Sequence, residues 1–359
     1  MRIDWAAFIP DGLQAVEDGD KLRITNIRSE IVIQRFTSVD ETSWFLGVYL
    51  AEGAKEGCGC SVPNTNPLLI KRVENFFLDD LKLSLHELQL EISYGPRDTI
   101  HTATQRFKNL RSPLARVRFR EDKRGKGNSK PAAVIIVRNG LTLKRTLDVA
   151  CRFFISGIND IPKEAIKAFL VGFLDGDGSV TYATPLRLGF YDDSREVVEA
   201  IAHGLDRIIG WDPERVSYKQ RGRLWSGYRW LHGPDAVKLA KIGVFNSSIN
   251  RARLLKFCVE TLQPYRQLLA CGQGPYTQEQ VKTCFGQFNG CIRYGYLKHN
   301  NGRIEISDLF LSAITDNTLD AEMAFVSRRY PTREAVVTRE RGIPYQYDPI
   351  EQKTVNSDL

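Results

Sequence analysis

Phe169-Leu170-Val171-Gly172-Phe173-Leu174-Asp175-Gly176-Asp177-Gly178 is an apolar run that ends on alternating aspartates and glycines. An earlier stretch is built the same way: Trp44-Phe45-Leu46-Gly47-Val48-Tyr49-Leu50-Ala51-Glu52-Gly53. Each reads as a helix with a small residue at its centre and a carboxylate followed by glycine at its end. Ser43 marks a start for the first, and Asp160 with Pro162 a start for the second. Ala168, Gly172 and Gly176 recur every four residues, as do Gly47 and Ala51, so each helix carries a stripe of small residues on one face. Such stripes let two backbones approach closely. If the stripes pack on each other, Glu52 and Asp177 meet at neighbouring helix ends.

The chain downstream of the two runs also repeats. A turn at Asn64-Thr65-Asn66-Pro67 follows Glu52 by 12 residues, and Asp192-Asp193-Ser194 follows Asp177 by 15. Each turn leads into a helical pattern, first through Leu68, Leu69, Val73, Phe76 and Phe77, then through Val197, Val198, Ile201 and Leu205. Basic, strand-like segments come next. Arg116-Val117-Arg118-Phe119-Arg120 alternates strictly, which places three arginines on one strand face. The second copy has Lys219, Arg221, Arg223 and Arg229 in the corresponding stretch. Helices at about 141–155 and 235–242 close the two copies. The pattern predicts an α+β fold of duplicated αββαββα units with antiparallel sheets. The expected division is an N-terminal extension at 1–35, units at 36–157 and 158–262, an accessory domain at 263–330 and a polar tail at 331–359. Within the accessory part, Thr277 to Phe288 reads as helix and Arg303 to Leu311 as a strand running into a helix.

Composition sets the outer limits. The chain of 359 residues is 42% hydrophobic and 26% charged, a globular balance. It has no apolar run of the length a membrane helix needs, so no membrane partner is expected, and Met1 to Pro10 does not read as a secretory signal. Seven cysteines without metal-clip spacing read as reduced thiols, which places the protein in the cytoplasm or an organelle. A net charge of +7 favours a polyanionic partner.

Two carboxylates held together need something to offset their repulsion. A hard divalent cation, Mg²⁺ or Mn²⁺, does so through carboxylate and water oxygens and acts on phosphodiesters. Basic two-stranded ribbons beside it suit the major groove of double-stranded DNA. With these residues in view, the two runs resemble the paired motifs of single-chain LAGLIDADG homing endonucleases, closely at 170–178 and partially at 45–53. The resemblance spans about 36–262 and is supported by two copies whose acids stand 125 positions apart. It implies a pseudo-twofold fold, a monomer, and site-specific double-strand DNA cleavage with metal held by Glu52 and Asp177. It further implies Lys55 and Lys219 as supporting catalytic bases, and DNA contacts from Arg116, Arg118, Arg120, Lys219, Arg221, Arg223 and Arg229.

Other readings use the same residues. An intron maturase on this fold would bind intron RNA without needing both acids. A DNA-binding regulator would join the fold to a C-terminal helix-turn-helix, for which the helix near Thr277 to Phe288 is the candidate. An intact self-splicing intein is not expected. The Asp175–Gly178 stretch is no calcium loop, since Val180 and Leu186 stand where such a loop needs Gly and Glu. Nor does Asp177-Gly178-Ser179 fit an aspartic protease. The five histidines lack metal-ligand spacing.

Overall fold

The computed structural model describes residues 1–53, 59–96, 98–120, 131–181, 186–245, 249–293, 295–315, 317–332 and 335. By compactness the chain divides into one unit of Met1–Ser179 with Gly189–Tyr228 and a second of Val180–Leu188 with Arg229–Leu359. Both glycine-bearing helices fall in the first unit. Among the described residues, no helix is long and apolar enough to cross a membrane.

The first unit begins with β1 (Arg2–Asp4), then a meander of β2 (Gln14–Asp18), β3 (Lys21–Thr25) and β4 (Glu30–Gln34). β5 (Phe36–Ser38) pairs antiparallel with β1. Alternation along β3 and β4 buries Leu22, Ile24, Ile31 and Ile33 while their neighbours face solvent. Arg35 grips Asp4 with two hydrogen bonds, of 3.0 and 2.9 Å, and so ties the start of the chain to the strand that leads into the first repeat.

The first repeat runs α1 (Val39–Glu52), β6 (Ser61–Asn64), α2 (Pro67–Asn75), β7 (Leu88–Tyr94), α3 (Ile100–Arg106), β8 (Leu114–Phe119), β9 (Ala132–Val137) and α4 (Leu141–Ser156). α1 starts a turn before the expected Ser43, which lies fully buried inside the helix. The second repeat runs α5 (Lys163–Asp177), β10 (Gly178–Thr181), β11 (Leu186–Asp192), α6 (Arg195–Ile209), β12 (Ser217–Arg221), β13 (Leu224–Leu231) and α7 (Gly233–Lys241), the expected αββαββα order.

Comparing the sheets locates an insertion. The second has strand order β10-β11-β13-β12 and the first β6-β9-β7-β8. β6 and β11 both lead through an Asx turn into a helix, and β9 and β13 both lead into the closing helix. β6-β9-β7 therefore matches β11-β13-β12, which leaves β8 as an extra strand. β8 runs parallel to β7 and is reached through α3. A parallel neighbour cannot be joined by a hairpin and needs such a crossover. The arginine-bearing strand is thus an added parallel edge and not a member of the repeated hairpin, a departure from the all-antiparallel sheet expected there.

The second unit continues with α8 (Ile249–Ala270), α9 (Gln278–Phe285), α10 (Asn289–Arg293), β14 (Leu297–Asn300), β15 (Arg303–Ile306), α11 (Asp308–Thr315) and α12 (Asp320–Arg329). The helix expected at 277–288 is present over Gln278–Phe285 and is broken at Gly286, and the strand-to-helix passage at 303–311 is present. Arg251 on α8 is buried and meets Glu322 on α12 in two hydrogen bonds, of 3.0 and 2.6 Å, so a buried guanidinium clamps the two helices together. The tail beyond 335 lies outside the described residues.

Candidate active site at the helix pair

α1 and α5 meet on their small-residue stripes. A Cβ added to Gly47 would fall on the Phe169 carbonyl and stand 2.7 Å from the Phe173 amide nitrogen. One added to Gly172 would fall on the Trp44 carbonyl and stand 3.0 Å from the Val48 nitrogen. In both cases the obstacle is the backbone of the opposite helix, so only glycine permits this approach. Large side chains flank the stripe and seal it: Trp44, Phe45, Phe169 and Phe173 are essentially fully buried. Phe45 stacks on Phe76 at 4.1 Å, and Phe154 on Phe169 at 5.1 Å.

The contact continues to the helix ends. A Cβ on Gly176 would stand 2.7 Å from the Ala51 Cβ and 3.0 Å from the Glu52 Cγ. The Glu52 side chain therefore lies against the last turn of α5, one residue from Asp177. Each acid is the final residue of its helix, and each is partly buried. A carboxylate at a helix C-terminus opposes the macrodipole, so neither position is one that helix stability selects.

Asn64, at the end of β6, donates its amide Nδ2 to Glu52 Oε1 at 2.7 Å. Its own Oδ1 accepts from the Asn66 amide at 2.7 Å, and Asn66 in turn caps α2 through the Leu68 amide at 3.1 Å. The turn read from the sequence thus positions an amide on the acid. That role was not foreseen, because nothing in the spacing says which way an Asx-turn side chain points. Burial pushes the Glu52 carboxyl up to about 7, and the Asn64 hydrogen bond partly opposes this.

Among the described residues no group of three His, Cys, Asp or Glu side chains is disposed to hold a metal. The pair of helix-end acids still fits a small hard cation, which takes one or two carboxylates and completes its shell with water and phosphate oxygens. Glu52 also carries the mark of such a place, a carboxyl that burial has pushed well above its ordinary range.

The other expected residues are dispersed. Lys55 lies outside the described residues. Arg116, Arg118 and Arg120 are exposed along β8 and just past it, with Arg118 paired to Glu91 at 3.0 Å. Lys219 and Arg221 are exposed on β12, and Arg223 is exposed in the turn that Gly222 forms at φ +62°. Arg229 differs from these: it is only 8% exposed, with Asp235 at 3.6 Å. A cleft of about 800 Å³ opens along the other side of α1, lined by Tyr49, Asp148, Arg152, Asp193 and Glu196 among others. Its carboxylates repel polyanions, so it is not a phosphate site.

Solved structures similar to this chain include the homing endonuclease I-DmoI. They are its complex with DNA and manganese (12% identity, TM-score 0.32, 53% of this chain and 89% of that one) and its complex with DNA and calcium (12%, 0.32, 56% and 88%). Mesophilic variants of the same endonuclease match at 12% identity and TM-score 0.33, over 56% of this chain and 88% of that one. No protein-family model matches the chain, and no curated protein does.

Proposed function

We propose that this protein is a site-specific double-strand DNA endonuclease of the LAGLIDADG homing type, acting as a monomer. Glu52 and Asp177 would hold Mg²⁺ or Mn²⁺, and residues 36–157 and 158–262 would be its two halves. One observation carries the reading: the glycine-to-backbone contact of α1 and α5 sets Glu52 against the turn that ends in Asp177. Two acids set against the helix dipole, one of them desolvated, make a site that functions at a cost to stability. When bound, the cation supplies charge neutralisation at the scissile phosphate and an acidified water. The chain's own residues prepare for it. Asn64 fixes Oε1 of Glu52 and so sets the carboxyl's orientation. The packed helices exclude water from one side of both acids. Exposed arginines on β8, with Lys219, Arg221 and Arg223 on the β12–β13 hairpin, would hold the DNA backbone.

The test is cleavage of a supercoiled plasmid carrying the uninterrupted locus in which the element resides, with Mg²⁺. Wild type is expected to linearise it at one place, and Asp177→Asn to bind it without cutting. Equal cutting by both proteins would remove Asp177 from the site. Binding by both without cutting would point to the maturase or regulator reading.

The arginines separate by the same logic. Arg116→Ala with Arg120→Ala is expected to flatten the slope of log affinity against log salt by about 1.8, at about 0.9 per phosphate contact. Arg229→Ala should leave that slope alone and instead lower stability by about 1–3 kcal/mol, since Asp235 loses a buried partner. A slope change on Arg229→Ala in a duplex-binding titration would return that residue to the DNA surface.

A further inference from the structure

Residues 277–306 of the second unit fold as two short helices and a hairpin in a specific order. α9 opens with a capping box in which Thr277 and Gln280 satisfy each other's backbone amides. It stops at Gly286, whose φ of +65° turns the chain, and α10 begins after only Gly286, Gln287 and Phe288. A three-residue, glycine-containing link between two helices is the kind of link that a helix-turn-helix uses. α10 ends in a Schellman motif: Gly295 is left-handed at φ +71°, its amide bonds Ile292 O at 2.9 Å, and the Tyr296 amide bonds Cys291 O at 2.8 Å. β14 and β15 follow, joined by the two-residue turn Asn301-Gly302, both with positive φ. Tyr276, just before α9, exchanges both backbone hydrogen bonds with Ile304 at 2.8 and 2.9 Å, an isolated bridge that ties the start of α9 to β15.

The module has its own core, and α8 supplies its floor. Tyr276, Val281, Leu297 and Ile304 are buried, and Tyr265 of α8 meets Phe285 edge-on at 4.6 Å. What remains outside is polar. Gln287, in the link, and Asn289, the first residue of the second helix, are exposed. Lys282 on α9 and Lys298 and Arg303 on the hairpin are exposed as well, with Lys298 and Arg303 on the hairpin face opposite Leu297 and Ile304. Across 277–306 four Lys and Arg stand against two acids, Glu279 and Glu305, and Glu305 already accepts a hydrogen bond from Asn300 at 3.0 Å. Among the described residues, none of the module's large apolar side chains is exposed, so the face does not suit an apolar protein partner.

We propose that this module is a second DNA-reading element, separate from the helix-pair site. The link and the first residue of α10 present Gln287 and Asn289 to base edges in the major groove, where amide side chains pair bidentately with adenine. Lys282, Lys298 and Arg303 contact flanking phosphates. This assignment does not depend on cleavage.

The experiment uses the full chain in EDTA, so that nothing is cut, and a pool of 40-base-pair duplexes of random sequence. Bound duplexes are selected and sequenced for wild type and for Gln287→Ala/Asn289→Ala. Affinity for the unselected pool is titrated against salt for wild type and for Lys282→Ala/Lys298→Ala/Arg303→Ala. A control replaces the exposed Lys21, Arg28 and Lys163 with Ala. Thermal melts verify that each variant is folded. Expected are loss of one block of selected bases in the amide variant and a salt slope flatter by about 2.7 in the basic variant but not in the control. If the helix-pair face also binds DNA, a second block survives in the amide variant; if it does not, no block survives, and the module assignment stands either way. An unchanged selected sequence together with an unchanged slope overturns the proposal, and a slope change alone overturns the base-reading role of Gln287 and Asn289.

Discussion

Gly172→Ala is expected to destabilise the protein by about 3 kcal/mol or more, although alanine is the better helix former by about 1 kcal/mol. The two effects have opposite sign, and the geometry decides between them. The new methyl would fall on the Trp44 carbonyl and stand 2.9 Å from its carbon. A side chain there could rotate away, but helical backbone can retreat only if the whole helix moves. Separating α1 from α5 opens the contact that keeps Phe45, Phe169 and Phe173 out of water. Gly47→Ala meets the mirror-image obstacle at Phe169 and Phe173, so the double variant should show no cooperative unfolding transition. Gly204→Ala in α6 is the internal control. Its nearest neighbours are the ends of the Leu170 and Ile166 side chains, at 3.2 to 3.4 Å, which can shift by a few tenths of an ångström. That variant should lie within about 1 kcal/mol of wild type. Urea titrations of wild type and these variants measure this, and a Gly172→Ala midpoint at or above wild type would mean that the helices are not packed on their glycines.

The same contact explains what could be read from sequence. A four-residue repeat of Gly and Ala beside Trp and Phe allows few arrangements, since such a stripe only makes sense against another helix. The stripe also fixes which helix ends lie together, and so it points to Glu52 and Asp177. Asn64 was legible as a turn residue but not as the partner of Glu52, because that depends on where β6 ends relative to α1. The alternation at 116–120 gave a strand correctly and its neighbour wrongly. Period two reports pleat and says nothing about whether the next strand arrives by hairpin or by crossover through α3. Arg229 looks in sequence like its neighbours on β12 and β13; only the approach of Asp235 from α7 takes it out of solvent. Lys55, whose role only the resemblance implies, lies outside the described residues.

Glu52→Gln is expected to make the metal-free protein more stable above neutral pH while abolishing the cleavage proposed for it. The folded Glu52 carboxyl titrates near 7, against 4.5 for an ordinary glutamate. A raised carboxyl gives stability that is complete below about pH 4.5, where both states are protonated, and that is lost as pH climbs through about 7. At pH 8 the folded chain must keep a desolvated carboxylate, at a cost on the order of 2 kcal/mol, because part of the carboxyl still meets solvent. Glutamine keeps the acceptor that Asn64 uses and removes the charge. In EDTA at pH 8 its melting temperature should exceed wild type by about 5 °C, and near pH 4.5 the two should coincide. With Mg²⁺ the order of function reverses. Loss of one of the two acids forfeits several kcal/mol of charge stabilisation at the phosphate, so cutting should fall by about 10³-fold or more at every pH. Differential scanning calorimetry across pH 4.5 to 8, set beside plasmid linearisation, reads both halves of the expectation. A Glu52→Gln protein that melts lower at pH 8, or that cuts as well as wild type, would show that the acid is there for the helix end and not for the cation.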